Sequence, residues 1–413
     1  MNRAVCTVLA RNYVPYARVL AQSLSEHHHD IQLSVLILDD PKGRLGSAEP
    51  FNVMRLEDLG IRRDDLSNRQ WIYSAKELAT AVKPALIRRL LDSGAEAVLF
   101  LDPDILVMAG LDDLWQASAE SGVTLIPHSL RPFPDDGRTP SDRHIRRTGI
   151  FNGGFVGVGR TGRDFLEWWD SRLRLHCVVD PNEGLFVDQR WLDFVPSYFP
   201  HRILRDPTID VAYWNLHDRN LTLADGAYVV DGRPLRFFHF SGFDPTRPDM
   251  LSRGSDRFIP TGDPALTSLC TEYARRLLQA GYNELRHMRY DMADLPSSDV
   301  ERHLRREALL AGRAGGELRD DPRPGEGGAS GASAGELVRA YLRAGVDEPR
   351  LSPRWGPLAG VLDRVISRFT KPVVEHQTRV SQALVELVRE ENDELRAEIA
   401  VLAARVAELE NSS

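Results

Sequence analysis

Short apolar runs alternate with helical stretches through the first 110 residues, and this alternation restricts the fold more than any other feature. Residues 4–9, 33–38 and 97–101 have the composition of buried strands, whereas 15–24 and 78–91 repeat apolar residues at helical spacing. Strands separated by helices predict a mostly parallel sheet with right-handed crossovers. Ligands of such sheets bind beyond the carboxyl ends of the strands. We therefore expect a site just after residues 9 and 101.

The middle of the chain continues the α/β pattern with an unusual glycine content. Residues 149–159 read Gly-Ile-Phe-Asn-Gly-Gly-Phe-Val-Gly-Val-Gly, in which glycines let the backbone pass close to a neighbouring strand or a ligand. The patterns that follow predict helices over 163–175, 185–192, 266–280 and 299–310, and a strand over 236–240.

Charge and cysteine content exclude several classes of protein. The formal net charge of -8 gives no general attraction to nucleic acid or to anionic lipid. Local basic pairs such as Arg146-Arg147 are short and are interpreted as solvated surface. Three widely spaced cysteines suggest neither a disulfide framework nor a zinc-thiolate site. The sequence has no signal peptide and no apolar stretch that could span a bilayer, so we expect a cytoplasmic protein, either free or peripheral to the inner face of the membrane.

The last third of the chain predicts a linker and a coiled coil. Residues 311–335 are rich in Gly and Ala and poor in large apolar residues, which predicts a flexible linker, and 336–372 contain a short helical segment. From 373 to 410 there is no Gly or Pro. Its heptads place aliphatic residues and one asparagine at the a and d positions: Val385, Val388, Asn392, Leu395, Ile399, Leu402, Val406 and Leu409.

Those heptads favour a parallel homodimer through residues 384–410, because β-branched a residues with leucine at d prefer two strands. Asn392 at an a position fixes register, and Glu391 would face Arg396 of a second chain. The alternative is one amphipathic helix packed on the rest of the chain. Static light scattering should find the full chain dimeric, and a chain cut at the linker should contain a smaller fraction of dimer. If both are monomeric, the coiled-coil interpretation is wrong.

Two carboxylates directly after a strand are the strongest chemical signal. Residues 98–107 read Val-Leu-Phe-Leu-Asp-Pro-Asp-Ile-Leu-Val, so Asp102 and Asp104 follow a buried strand and precede an aliphatic run. Asp at i and i+2 across a turn can reach one hard cation. Asp-x-Asp alone is common in ordinary turns, but its place at a strand end favours a metal site.

With these motifs in order, the chain resembles the family 8 glycosyltransferases and their relatives with the GT-A fold, from Thr7 to about Asp244. The matching segments are Leu9-Ala10-Arg11-Asn12-Tyr13, Thr80-Ala81-Val82-Lys83, Asp102-Pro103-Asp104, Phe151-Asn152-Gly153-Gly154, Asp188-Gln189 and His239-Phe240-Ser241-Gly242. The resemblance implies a GT-A catalytic domain over 1–265, followed by a helical extension over 266–310.

The resemblance also implies roles for the matching residues. It implies that Asp102, Asp104 and His239 hold Mn²⁺ or Mg²⁺, and that Asn152, Asp188 and Gln189 lie at the reacting sugar. Asn152 and Asp188 would hold sugar hydroxyls, and Gln189 would face the anomeric carbon as a stabiliser or weak nucleophile in a retaining transfer. The residues expected around the donor, most simply a UDP-sugar, are Leu9, Ala10, Asn12, Tyr13, Lys83, Leu101, Asp102, Gly153 and Gly242.

Two other functions share some of these features. A catalytically silent GT-A domain could act as a dimeric scaffold or bind nucleotide sugars without transfer. A nucleotidyltransferase would also use a carboxylate-bound metal, but its phosphate loop should contain glycine, and residues 6–20 contain none. The implied acceptor is a saccharide or glycolipid, in assembly of a surface glycan.

Overall fold

A computed structural model describes residues 1–288 except 41–44, 46–47 and 181–182, together with 290, 302–303, 305–307 and 309–310. These residues all belong to one unit of the chain, Met1–Leu318. The predicted linker, the segment 336–372 and the coiled coil lie outside the described residues. No helix in the described part combines the length and the hydropathy that crossing a bilayer requires.

The described chain alternates strands and helices as expected. The strands are β1 (Arg3–Leu9), β2 (Leu33–Ile37), β3 (Asn52–Met54), β4 (Ala97–Leu101), β5 (Ile105–Val107), β6 (Val123–Leu125), β7 (Phe155–Gly159), β8 (Val179–Asp180), β9 (Leu185–Phe186), β10 (His201–Ile203), β11 (Leu221–Ala224), β12 (Ala227–Val230), β13 (Arg233–Pro234) and β14 (Phe237–His239). The helices are α1 (Val14–Ser25), α2 (Arg63–Ile72), α3 (Ala75–Ala81), α4 (Lys83–Asp92), α5 (Asp112–Ser121), α6 (Asp142–Thr148), α7 (Arg163–Leu173), α8 (Val195–Tyr198), α9 (Pro264–Gln279) and α10 (Tyr282–Leu285).

A mixed but mostly parallel sheet forms the centre, with the strand order β10-β6-β7-β4-β1-β2-β3. Only β7 runs against its neighbours, β4 and β6. In the parallel core, Cys6 on β1 lies between Ser34 on β2 and Phe100 on β4. The predicted α/β class with a mostly parallel sheet is confirmed.

Side chains alternate between the two faces of the central strands, and helices cover both faces. On one face, Phe100 joins a core with Leu86 of α4 and Phe165 of α7. On the other face, Leu99 joins a core with residues of α1 and α5, including Trp115. Burial on both faces explains why these strands read as continuous apolar runs.

A third core lies beside the sheet and fixes the last strand. Strand β14 pairs with β5 in an antiparallel two-stranded sheet, and β11, β12 and β13 form a meander. Tyr273 of α9 stacks on Phe240 with ring centroids 3.8 Å apart. Helix α9 spans the predicted boundary at 265–266, and its Asp263 cap accepts hydrogen bonds from Ala265 and Leu266.

Two predicted helices differ from the structure. The segment 78–91 forms two helices, α3 and α4, because Pro84 lacks an amide proton and occupies the first turn of a new helix. The helix expected over 185–192 is wrong. Strand β9 pairs with β8, Val187 has φ 44°, and a 3-10 helix runs over Gln189–Phe194.

Candidate metal centre

The carboxyl ends of β1, β2 and β4 lie side by side because these strands are parallel neighbours. Beyond β1 the chain turns through a 3-10 helix, Arg11–Tyr13. Beyond β2 lies Asp39, a buried carboxylate that accepts a hydrogen bond from the Arg11 amide at 2.7 Å. Beyond β4 lie Asp102 and Asp104. Ligands bind at this edge in open α/β sheets.

A tight turn after β4 holds the two aspartates. The Asp102 amide donates to the Gly154 carbonyl at 2.8 Å, and the Ile105 amide donates to the Asp102 carbonyl at 3.2 Å. The chain then enters β5 at once. The Asp102 and Asp104 carboxylates remain 30% and 18% exposed. They are therefore accessible from solvent while their backbone is fixed.

Pairing of β5 with β14 brings His239 to the aspartates. Ile105 lies opposite His239 in this ladder, and the Phe240 amide donates to the Asp104 carbonyl at 2.9 Å. The imidazole Nε2 lies 3.0 Å from an Asp104 oxygen and 3.9 Å from an Asp102 oxygen. One ligand atom from each residue lies within 4.8 Å of the others. The three residues with a metal role implied by the resemblance thus converge.

The cluster fits a divalent cation in chemistry and in space. Two carboxylates and one imidazole suit Mn²⁺, and the carboxylates alone also suit Mg²⁺. Gly154 leaves the room: a Cβ at this position would lie 2.3 Å from His239 Cε1 and 3.0 Å from an Asp102 oxygen. A side chain on residue 154 would occupy the space beside the ligands.

The electrostatic environment of His239 favours positive charge. Burial alone lowers the pKa of this imidazole, but Asp104 and Asp210 raise it well above its ordinary value. The imidazole lies between two carboxylates, one on each ring nitrogen. A divalent ion near Nε2 would supply the positive charge in place of a proton.

Lys83 is buried beneath the aspartates and is already paired. Its Nζ lies 2.9 Å from Asp188 and 3.3 Å from Asp102, and it donates to the Gly153 carbonyl at 2.9 Å. Burial lowers the pKa of Lys83, but the two carboxylates raise it above its ordinary value. The side chain is 4% exposed. Lys83 therefore fixes Asp102 and Asp188 and does not project into the open part of the site.

Asn152 is engaged behind the metal ligands. Its Nδ2 lies 2.7 Å from Asp210 and 3.1 Å from His239 Nδ1, and its Oδ1 accepts from the Gly154 amide at 2.8 Å. The side chain is buried. As placed, this carboxamide holds His239 and Gly154 through these hydrogen bonds.

Asp188 and Gln189 lie beside Gly153. The Gln189 Oε1 accepts from the Gly153 amide at 2.9 Å, and Nε2 donates to the Thr148 carbonyl at 2.9 Å. The Asp188 side chain is buried against Lys83, and burial raises the pKa of its carboxyl. The Asp188 carboxylate thus lies next to Gly153 and is paired with Lys83.

The residues implied at the nucleotide differ in what they expose. Leu9 and Leu101 are buried core residues at the ends of β1 and β4, so only their backbone faces the edge. Ala10 and Asn12 are partly exposed. Tyr13 is 44% exposed and stacks on Tyr16 with centroids 4.9 Å apart. Tyr13 thus presents an aromatic surface at the mouth of the site.

Gly242 and Trp214 complete the surroundings of His239. Gly242 has φ 73°, a left-handed conformation that favours glycine, and it follows His239 in the turn after β14. Trp214 is buried, and its ring packs edge-on against the His239 imidazole with centroids 5.1 Å apart. It limits movement of the imidazole.

Sequence reasoning missed Asp210. This fully buried aspartate has φ 52°, accepts from Asn152, and lies 3.3 Å from His239 Nδ1. Asn215 holds its loop by donating to the Asp210 carbonyl at 2.8 Å. The left-handed backbone and the contact with β14 arise only in the folded chain. The only local signal was an aspartate in an apolar stretch, Ile209-Asp210-Val211.

Asp210→Asn should weaken manganese binding by about ten- to a hundredfold, because a carboxylate behind a ligating imidazole orients it and raises its basicity. Electron paramagnetic resonance of free Mn²⁺ during titration measures this. Asp225→Asn is the control, since Asp225 is also left-handed, with φ 51°, but lies in the turn between β11 and β12. Equal affinity for Mn²⁺ in the two variants would show that Asp210 does not contribute to metal binding.

Comparisons with known proteins give distant relatives. No family model matches the chain. The uncharacterized protein YfnF of Bacillus subtilis (strain 168) is 27% identical over 250 residues, which cover 59% of this chain and 82% of YfnF. The uncharacterized protein YfnD of the same organism is 26% identical over 245 residues, which cover 57% of this chain and 76% of YfnD.

Two solved structures to which the chain is similar are glycosyltransferases. The galactosyltransferase LgtC, in complex with donor and acceptor sugar analogs, is 16% identical with a TM-score of 0.39, covering 66% of this chain and 95% of LgtC. The glycosyltransferase GlyE of Streptococcus pneumoniae TIGR4 is 15% identical with a TM-score of 0.39, covering 67% of this chain and 63% of GlyE. At this level of similarity, function is inferred from the side chains of the site.

Proposed function

We propose that this protein is a metal-dependent glycosyltransferase that moves a sugar from a nucleotide-diphosphate donor to a saccharide or glycolipid acceptor. The convergence of Asp102, Asp104 and His239 around the space left by Gly154 carries the proposal. The cluster lies at the carboxyl edge of the sheet, where α/β proteins bind nucleotides. The sequence motifs that resemble family 8 glycosyltransferases meet at the same edge.

Asp102, Asp104 and His239 would hold the ion, which when bound supplies positive charge for the diphosphate of the leaving nucleotide. The remaining chemistry belongs to the chain. Asp210 and Asn152 hold the imidazole from behind, and Lys83 holds the Asp102 carboxylate. A ligand set restrained in this way needs little reorganisation when the donor binds.

The donor would lie along the edge from Tyr13 to Gly153. Tyr13 offers an aromatic face for the base, while Ala10 and Asn12 lie in the same turn. Gly242 lets the chain approach the phosphates, and Gly153 lets the sugar approach the backbone. Leu9 and Leu101 contribute backbone only. A UDP-sugar remains the first donor to test.

Gln189 would act as a fixed dipole in a retaining transfer. Both ends of its carboxamide are bonded to backbone, at Gly153 and Thr148. A neutral amide in this state is a poor nucleophile, so stabilisation of positive charge on the sugar fits it better. Asp188 supports the same segment through Lys83. The proposed dimer through 384–410 would join two such sites in one particle.

Thermal unfolding with manganese and a panel of nucleotide sugars tests the proposal. A donor at 100 times its Kd stabilises the folded state by roughly 2.7 kcal/mol through mass action. We expect one or a few donors to raise the Tm, and EDTA to abolish the shift. If UDP-, GDP-, CDP- and dTDP-sugars all leave the Tm unchanged, the proposal is contradicted.

A further inference from the structure

An open cavity of about 980 Å³ is lined by residues between 133 and 147, the stretch of chain before Asn152 and Gly154. Four arginines line it, Arg138, Arg143, Arg146 and Arg147, against two aspartates, Asp135 and Asp142. The volume is at the upper end of the roughly 300–1,000 Å³ typical of small-molecule sites. The cavity thus has the size of a ligand site and an excess of positive charge.

The four guanidinium groups form no ion pair among the described residues, although Arg138 interacts electrostatically with Asp136. Across the described residues, no carboxylate lies within ion-pair distance of them, whereas Asp136 pairs with Arg257 instead. In a chain with net charge -8, these four exposed arginines form a local excess of positive charge. Guanidinium groups bind phosphate and carboxylate through paired hydrogen bonds.

The walls of the cavity are held in place by a distant segment. Arg257, which is 9% exposed, donates to Asp136 and to the Pro140 carbonyl, the latter at 3.1 Å. The Thr139 amide donates to Asp256 at 2.7 Å. A loop tied at several points presents a preformed surface, which lowers the entropic cost of binding.

A short stretch of chain connects the cavity to the candidate site. Helix α6 carries Arg143, Arg146 and Arg147 and ends at Thr148, whose carbonyl accepts from Gln189 at 2.9 Å. Asn152 follows Arg147 by five residues, so their Cα atoms are at most about 18 Å apart. A molecule extending from the metal site by a few sugar units reaches these arginines.

We infer that this cavity, the basic cavity, binds a phosphate group carried by the acceptor, so that the acceptor is an anionic, phosphate-bearing saccharide. The inference rests on the proposed function, since it assigns the acceptor of that reaction. Arg146-Arg147, interpreted from sequence as solvated surface, would then be a recognition element. The phosphate could belong to a soluble glycan or to a lipid-linked one.

The test uses the full chain without metal and a double variant, Arg146→Gln/Arg147→Gln. Titration calorimetry with glucose 6-phosphate tests binding of a soluble phosphorylated sugar, and glucose is the uncharged control. Flotation with phosphatidylglycerol vesicles, against phosphatidylcholine vesicles, supplies the lipid arm. Arg63→Gln/Arg88→Gln is the matched control, because it removes the same charge from α2 and α4.

We expect glucose 6-phosphate to bind and glucose not to bind, with affinity reduced about tenfold or more in Arg146→Gln/Arg147→Gln and unchanged in the control. If only phosphatidylglycerol vesicles bind, and this binding also depends on Arg146 and Arg147, the phosphate belongs to a lipid. Binding that is absent in both arms, or equal in the two double variants, overturns the inference.

Donor hydrolysis with manganese and no acceptor separates this inference from the proposed function. If the wild type hydrolyses a donor but phosphate binding does not depend on Arg146 and Arg147, only the inference about the basic cavity is wrong. If phosphate binding depends on the arginines but no donor is hydrolysed, the proposed transferase function is wrong and the cavity is an anion-binding site only.

Discussion

Gly154→Ala should strongly weaken metal binding while leaving the fold intact. The new Cβ would lie 2.3 Å from His239 Cε1 and 2.9 Å from Nδ1, far inside van der Waals contact. The imidazole cannot simply rotate away, because Asp210, Asn152 and Trp214 surround it. Displacement of one ligand by more than about 0.5 Å spoils a preorganised site.

We expect manganese affinity to fall by about two orders of magnitude in Gly154→Ala, and metal-dependent turnover to fall with it. The control is Gly262→Ala, since nothing lies within 4 Å of a Cβ at Gly262 and its φ is not left-handed. Circular dichroism should show both variants folded. Wild-type manganese binding by Gly154→Ala would mean that the three side chains do not form the site.

Asp102→Asn should lower manganese-dependent hydrolysis of a nucleotide sugar by about 10²- to 10³-fold, the scale of removing one electrostatic stabiliser of a transition state. The substitution keeps the shape of the side chain but removes a charge that the ion needs. Asp102 also faces Lys83, so Asp104→Asn is measured beside it. Asp104 contacts His239 and has no ion pair with Lys83 among the described residues.

Two outcomes of that experiment are informative. Similar losses in Asp102→Asn and Asp104→Asn assign the effect to the metal, whereas a loss in Asp102→Asn alone assigns it to Lys83. Asp92→Asn is the control, because Asp92 is an aspartate at the far end of α4 that pairs with Arg163. Undiminished hydrolysis by Asp104→Asn would contradict a role for the ion in turnover.

The strands and the aspartate pair could be predicted because their signals are local. The run over β4 is apolar at every position, and Asp102 interrupts it at the point where burial ends. The β-rich, both-faces-buried pattern of β1, β2 and β4 identifies a parallel sheet without knowledge of the contacts. The edge at which these strands end followed from the topology.

The second layer of the site could not be predicted, because it depends on pairings between distant segments. Asp210 reaches His239 because its own backbone is left-handed and Asn215 holds its loop in place. Asn152 and Lys83 were placed at the donor by resemblance, but their hydrogen-bonding groups are used inside the protein. Spacing along the chain contains no information on whether a polar group is already satisfied.

The helix expected over 185–192 failed for a related reason. Leu185, Trp191 and Leu192 have the spacing of the apolar face of a helix. In the structure Leu185 pairs with Asp180 of β8, and Leu192 is buried in the core on one face of the sheet. Val187, a β-branched residue at φ 44°, adopts a conformation that is rare and strained for such a side chain. Strain of this kind, directly before Asp188-Gln189, is typical of a functional segment.

Direct titration of the full-length protein with Mn²⁺, followed by electron paramagnetic resonance, tests the meeting of Asp102, Asp104 and His239 around one ion. The wild type should bind one ion per chain at this cluster, and His239→Ala should lose that binding while Asp92→Asn keeps it. Binding of equal strength in the wild type and in His239→Ala, or no binding in the wild type, would contradict the metal centre on which the proposed transfer depends.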